Sequence, residues 1–172
     1  MQKIALSGKI GSGKTTIAQY LASHYAAETF SFAKKLKSNL EIIGVAHDAL
    51  YHTKPPLVRE LMQIYGQVMR QQDADWWVRE VIDDVRRYDD GYTPVAVIDD
   101  LRFKNEAILL QREGFTLVRV TCTDDQHNDY VDTDVSEVDL DDWSPWDFEI
   151  EAKRGDIHTL ISQVDSMINT LQ

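Results

Sequence analysis

The sequence predicts an α/β fold in three layers, a five-stranded parallel sheet with helices on both faces, on the strength of three observations. Apolar strand-like runs alternate with segments of helical periodicity along the 172 residues. The first run leads through Gly8-Lys9-Ile10-Gly11-Ser12-Gly13-Lys14-Thr15 into a helical segment, so G-x-x-x-x-G-K-T stands between a strand and a helix. A hydrophobic share of 43% with 27% charged residues is globular, and the length is enough to bury a sizeable core.

The elements follow in chain order. The first strand is expected over 3–7, where Ile4, Ala5 and Leu6 are apolar, and the first helix over 14–25, behind the glycine-rich turn. Glu28-Thr29-Phe30-Ser31-Phe32 reads as a second strand, followed by a helix over 33–43 that opens with Lys34, Lys35 and Lys37. Helices over 56–72 and 74–88 come next; in the first, Leu61, Ile64, Tyr65 and Val68 recur at helical spacing as one apolar stripe. Gly91 lies in the turn before Pro94-Val95-Ala96-Val97-Ile98-Asp99, the third strand. A helix over 103–113 is closed by Gly114, and strands over 115–122 and 147–151 precede a last helix over 155–171. Near-continuous apolar strands separated by helices pair in parallel, and ligands then collect at the carboxyl ends of the strands.

One domain over 1–172 accommodates all of this, with a helical insertion at about 34–90 and a short lid at about 121–135. No apolar run reaches the roughly 18 residues of a membrane span, and the N-terminus lacks a signal-peptide pattern, so a cytoplasmic location is expected. Cys122 has no second cysteine to pair with and reads as core packing at the end of a strand. The net charge of −11 is unevenly spread: nine Lys/Arg against four Asp/Glu over 1–70, and nine against twenty-five over 71–172. Cations gather around the glycine-rich loop, whereas the acidic second half disfavours a nucleic-acid polymer as partner.

The loop carries the chemistry. Gly8, Gly11 and Gly13 permit backbone dihedrals that turn successive N–H groups inward, a nest sized for a polyphosphate, with the helix N-terminus behind it. ATP is expected along 8–16, held by Gly8, Gly11, Ser12, Gly13, Lys14, Thr15 and Thr16, with Lys14 on the outer phosphates and the Thr15 hydroxyl on Mg2+. Asp99 and Asp100, at the tip of the third strand, suit the waters around that magnesium, Asp99 as the metal-side acid, or the acceptance of a hydroxyl proton; alternatively Asp100 caps the helix near 103. Arg102 presents a planar fork to a phosphate. Lys34 and Lys35 are placed to attract a second anion, while Lys37 belongs equally well to a solvated helix face. Arg59, Gln63 and Arg70 lie off the apolar stripe of their helix and are expected to address one cavity. Of Trp76 and Trp77, one packs in the core and the other, taken as Trp77, lines a base pocket.

Together these segments resemble the deoxynucleoside monophosphate kinases of tailed bacteriophages. The likeness is carried by the phosphate loop, Phe-Ala-x-x-Leu-Lys at 32–37, Arg-x-Leu-Met-Gln-x-Tyr-Gly-x-x-x-Arg at 59–70, Trp-Val at 77–78, Asp-x-Arg-Phe-x-Asn-Glu at 100–106, and Ser136-Glu137 with Leu140-Asp141. The resemblance implies a P-loop kinase fold and ATP-dependent phosphorylation of a deoxynucleoside 5′-monophosphate to the diphosphate, with Arg59, Arg70 and Arg102 near the acceptor. It also implies a setting in the cytoplasm of an infected host cell, and a homodimer is compatible with it. One departure is evident: the lid segment holds Asp124, Asp125, Asp129, Asp132 and Asp134 but no Lys or Arg, and His127 is its one residue able to become cationic. Either charge on the transferred group falls to Arg119 or to the helical insertion, or this chain is slower or altered in substrate. Competing readings are another small-molecule P-loop kinase of phosphomevalonate type, a kinase acting on modified bases in phage DNA, and a non-catalytic nucleotide-binding module.

Overall fold

Strand pairing in the computed structural model, which describes residues 1–89, 91–124 and 138–171, follows from the apolar runs. The strands are β1 (Gln2–Ser7), β2 (Ala27–Phe30), β3 (Val95–Leu101), β4 (Thr116–Cys122) and β5 (Phe148–Ala152), in the order β2-β3-β1-β4-β5 within one parallel sheet. The helices are α1 (Lys14–His24), α2 (Phe32–Ile42), α3 (His47–Tyr51), α4 (Pro56–Gln72), α5 (Trp76–Tyr88), α6 (Lys104–Arg112) and α7 (Ile157–Leu171). Element ends agree with the sequence reading to within two residues. The exception is α3, whose five residues are too few for a periodicity to be read.

The chain divides into two compact units, Met1–Thr29 with Asp89–Gln172, and Phe30–Tyr88. In the first unit Ile4 and Leu6 of β1, Val95 and Val97 of β3 and Val118 and Val120 of β4 form a buried core with Ile17 and Leu21 of α1 and Leu160, Val164 and Ile168 of α7. Alternation along each strand sends Ala5, Ile98 and Leu117 to the other face, and there α6 packs on β4 with Ala107 and Leu110 buried.

The second unit is helical. Its best-packed element is α5, which buries Trp77, Val78, Val81, Ile82 and Val85. Gly66 lets α2 and α4 approach closely, since a Cβ there would stand 3.0 Å from Leu36 Cδ1. The stripe read as one apolar face of α4 is divided: Tyr65 turns inward against Trp77, whereas Leu61, Ile64 and Val68 are exposed. Periodicity gives an apolar face but not the side on which a neighbour sits.

Candidate active site

Backbone geometry alone forces glycine at the start of the phosphate loop. Gly8 has φ +153°, and a Cβ on it would lie 2.2 Å from the Val120 carbonyl oxygen and 2.7 Å from Ser12 Oγ. Gly13 has φ +105° as the N-cap of α1, where its backbone starts the helix and its missing Cβ makes room for Leu160 at 3.1 Å. Lys14 then lies in the first turn of α1 and folds back over the loop, its ammonium donating to the carbonyls of Gly8 at 2.5 Å and Lys9 at 2.8 Å. Ser12 is buried, and its Oγ has no hydrogen-bond partner among the described residues. Together the glycine-lined cradle, the ammonium across it and the unsatisfied hydroxyl are the chemistry of an oxyanion site. Thr15 is exposed in the same turn and Thr16 half-buried.

Asp99 and Asp100 reach this strand end through an irregularity that the sequence did not disclose. Ile98 pairs with Ala5 and Leu101 with Ser7, so two residues of β3 stand against the single Leu6 of β1. Such a bulge re-aims side chains where a ladder ends beside a site. The strand therefore runs on to Leu101 and both carboxylates lie within it, half-buried. Arg102 follows directly. Its backbone N–H and that of Phe103 each donate to the Glu106 carboxylate at 3.1 Å, and Glu106 is 2% exposed. The N–H of Lys104 donates to Asp139 at 2.7 Å. Glu106 and Asp139 thus cap the start of α6. The Lys104 ammonium is 2.7 Å from Asp142, and their hydrogen bond raises the pKa of the lysine and lowers that of the carboxyl.

Two further arginines border the loop. Arg119, opposite Ser7 in the β1–β4 register, donates to Ser7 Oγ at 3.4 Å and to Asp141 at 2.8 Å, and its guanidinium lies over the Trp146 ring. Asp141 also pairs with Lys9 of the loop at 3.6 Å. Arg154, after β5, brings its guanidinium to 3.5 Å from the place a Cβ on Gly11 would occupy, while its backbone N–H is held by Asp124 at 2.8 Å. The available signals were weak: one arginine among the apolar residues of Leu117-Val118-Arg119-Val120, and one cation in the turn after the last strand. Cys122, read as core packing, is only half-buried, and its thiol faces Asp124 Oδ1 at 3.7 Å. Asp125, His127, Asp129, Asp132, Asp134, Ser136 and Glu137, with most of the expected lid, lie outside the described residues.

In the helical unit the expected acceptor residues separate into groups. The Lys34 N–H is capped by Ser31 Oγ at the start of α2. Lys35 is not placed as an anion ligand: its ammonium bonds both carboxylate oxygens of Asp84 at 2.9 Å and lies 3.3 Å from Glu80. Burial alone would lower its pKa, but the hydrogen bonds and charges of Asp84 and Glu80 prevail and raise it. Arg59 and Gln63 do come together, lining a cavity of about 330 Å3 with Lys37, Ala33, Leu36 and Met62. The Arg59 Nε–H is anchored on the Lys54 carbonyl at 2.9 Å. Arg70 does not line that cavity. It sits seven residues beyond Gln63, about 10 Å along the helix axis. Trp77 corrects the base-pocket expectation. It is 2% exposed, donates its indole N–H to the Gly66 carbonyl at 3.1 Å and meets the Tyr65 ring edge-on, so it belongs to the core.

No family model and no curated protein matches the chain. Solved structures do. The shikimate kinase of Aquifex aeolicus superposes with a TM-score of 0.54 at 13% identity, covering 99% of this chain and 98% of that one. A sugar kinase from a Janibacter species gives 0.56 at 14% identity, with 98% and 95% covered. The shikimate kinase of Acinetobacter baumannii, solved in complex with shikimate, gives 0.52 at 12% identity, with 100% and 95% covered. With strand order, loop and coverage in agreement, the chain has the P-loop kinase-like α/β fold.

Proposed function

We propose that this protein is an ATP-dependent kinase that phosphorylates a deoxynucleoside 5′-monophosphate to the diphosphate. The observation that carries the reading is the phosphate loop itself, with Lys14 across its mouth and the buried, unsatisfied Ser12 hydroxyl inside it. Phosphoryl transfer asks a protein for position and charge neutralisation rather than for a covalent nucleophile. Lys14 would exchange the carbonyls of Gly8 and Lys9 for the outer phosphates of ATP. Thr15 and Asp99 offer the hard oxygen ligands that magnesium takes, directly or through water, and the ion when bound supplies neutralisation of the β- and γ-phosphate charge. Asp100 would order the water shell.

For the acceptor, Arg102 is assigned to the phosphate, and Lys34, Arg59, Gln63 and Arg70 to the remaining polar groups, on the resemblance of the 59–70 and 100–106 runs. Lys35 and Trp77 are removed from that set by their ion pairs and burial. Arg119 is assigned the neutralising role for which the 121–135 segment has no Lys or Arg. A phosphate acceptor is already ionised at neutral pH, so no general base is required.

A second reading has one observation in its favour: the similar structures are kinases of shikimate and of a sugar, which suggests a hydroxyl acceptor. Asp99 or Asp100 would then have to accept the hydroxyl proton, and turnover would rise with pH through the titration of that carboxylate. Coupled detection of ADP over a panel of deoxy- and ribonucleoside monophosphates, shikimate, simple sugars and phosphomevalonate separates the two. Turnover confined to deoxynucleoside monophosphates is the expected result. Turnover with a hydroxyl acceptor alone, or with none of the panel despite tight ATP binding, overturns it.

A further inference from the structure

Leu140-Asp141 is among the runs that carry the family resemblance, yet the reaction as proposed gives Asp141 no task. Leu140 is buried and anchors the segment. Its neighbours pin the turn further: the Asp141 N–H donates to the Val138 carbonyl at 3.0 Å, Asp139 accepts from the Lys104 N–H, and Asp142 pairs with the Lys104 ammonium. The Asp141 carboxylate is thereby fixed between two cations. Its Oδ1 accepts from Arg119 at 2.8 Å and its Oδ2 lies 3.6 Å from the Lys9 ammonium, so one side chain ties β4 to the second residue of the phosphate loop. With the Asp141 side chain 40% exposed, such pairs contribute little to stability. What they fix is the direction of a guanidinium.

We infer that Asp141 is the positioning residue for Arg119, aiming its guanidinium at the phosphoryl group in transfer. The inference rests on the proposed reaction, in which Arg119 neutralises charge on that group. Three groups hold Arg119: Ser7 Oγ at 3.4 Å, the Trp146 ring with its centroid 5.6 Å from Cζ, and Asp141. The first bond is long and the ring attracts without fixing the fork's direction, whereas the short charge-assisted bond to Asp141 sets the plane of the fork. On charge, Asp141 acts in the opposite sense. It offsets one of the two positive charges that Lys9 and Arg119 bring to the loop, and so weakens the attraction of a polyanion. Removing it should therefore tighten nucleotide binding while slowing transfer, a split that a merely structural carboxylate would not produce.

Two substitutions separate these contributions, because asparagine keeps an oxygen that accepts from Arg119 and alanine does not. With the best acceptor of the panel above, Asp141→Ala should lower kcat by about 10–100-fold, the loss that a misplaced group causes. It should also tighten Mg-ADP binding in isothermal titration by about two- to fivefold, and by less at high salt. Asp141→Asn should tighten Mg-ADP equally and keep kcat within about threefold of wild type. The double variant Arg119→Met, Asp141→Ala should be no slower than Arg119→Met alone, since the carboxylate acts through the arginine. The NMR signal of the Arg119 Nε–H, identified by its loss in Arg119→Met, gives a readout free of turnover: rigid in wild type and Asp141→Asn, mobile in Asp141→Ala. Thermal melts check that the variants are folded. If wild type turns over no deoxynucleoside monophosphate, the proposed reaction fails, and the Nε–H signal and Mg-ADP titrations still decide whether Asp141 positions Arg119. Wild-type kcat in Asp141→Ala, an Asp141→Asn as slow as Asp141→Ala, losses that multiply in the double variant, or an Nε–H equally rigid without the carboxylate overturns the inference.

Discussion

Substituting Gly8 by alanine isolates what the phosphate loop demands of the backbone. Two costs add. The dihedral at φ +153° is one that L side chains rarely adopt, worth about 1–3 kcal/mol. The new Cβ would also stand 2.2 Å from the Val120 carbonyl oxygen, a backbone atom held in β4 by the pairing of Val118 and Arg119 with Leu6 and Ser7. Ordinary contact needs more than 1 Å of extra separation there, roughly, and the sheet can give it only by loosening β1 from β4, at a cost of another 1–3 kcal/mol for overpacking. A total of about 2–6 kcal/mol corresponds to a fall of roughly 4–24 °C in Tm for a chain of this size. Gly91→Ala is the matched control: its φ is +75° but nothing lies within 4 Å of the added atom, so only the dihedral cost of about 1 kcal/mol remains. Thermal unfolding of both variants, with fluorescent ATP-analogue titration, reads the difference. Gly8→Ala should lose nucleotide affinity as well as stability. If it melts with Gly91→Ala and binds nucleotide like wild type, the reasoning from close backbone approach is wrong.

Four further outcomes are expected. Lys14→Ala should keep the fold and lose about 10²-fold or more in turnover, since charge stabilisation in a dry site is usually the largest catalytic contribution; wild-type turnover in steady-state assays would remove the loop from the reaction. Arg102→Met should weaken the acceptor monophosphate more than ATP in separate isothermal titrations, and equal losses would refute its acceptor role. Trp77→Phe should destabilise by about 2 kcal/mol, from the lost hydrogen bond to Gly66 and the vacated volume, with acceptor KM unchanged; a raised KM without destabilisation in urea would return Trp77 to the site. Alkaline unfolding should respond to Tyr25→Phe: the hydrogen bond to Asp165, with burial and the carboxylate charge, pushes the Tyr25 pKa up to about 12. The native state therefore keeps a proton that the unfolded chain loses near pH 10, so this stabilisation is complete below about pH 10 and fades as pH rises towards 12. The variant should show a shallower alkaline limb, and identical limbs would contradict the linkage.

Sequence alone determined the parts of this protein whose physics is local. The phosphate loop was legible because its strand, glycines, lysine and helix start are consecutive, and each glycine answers to dihedrals of its own backbone. Strands and helices were legible to within a residue or two because burial of one face writes a period into the chain. Tertiary structure decided everything that depends on a partner remote in sequence. Lys35 reads as a cation open to an anionic ligand until Glu80 and Asp84, forty-five and forty-nine residues on, pair with it. Trp77 reads as a pocket wall until the Gly66 carbonyl accepts its N–H. Arg119 and Arg154 come to the loop only through the strand order and the turn after β5. The double step of Asp99 and Asp100 against Leu6 exists only in the pairing of β3 with β1. The α4 stripe shows the division most directly: its spacing is a property of the chain, whereas which of its residues meet protein and which meet water is set by where the neighbouring helices pack.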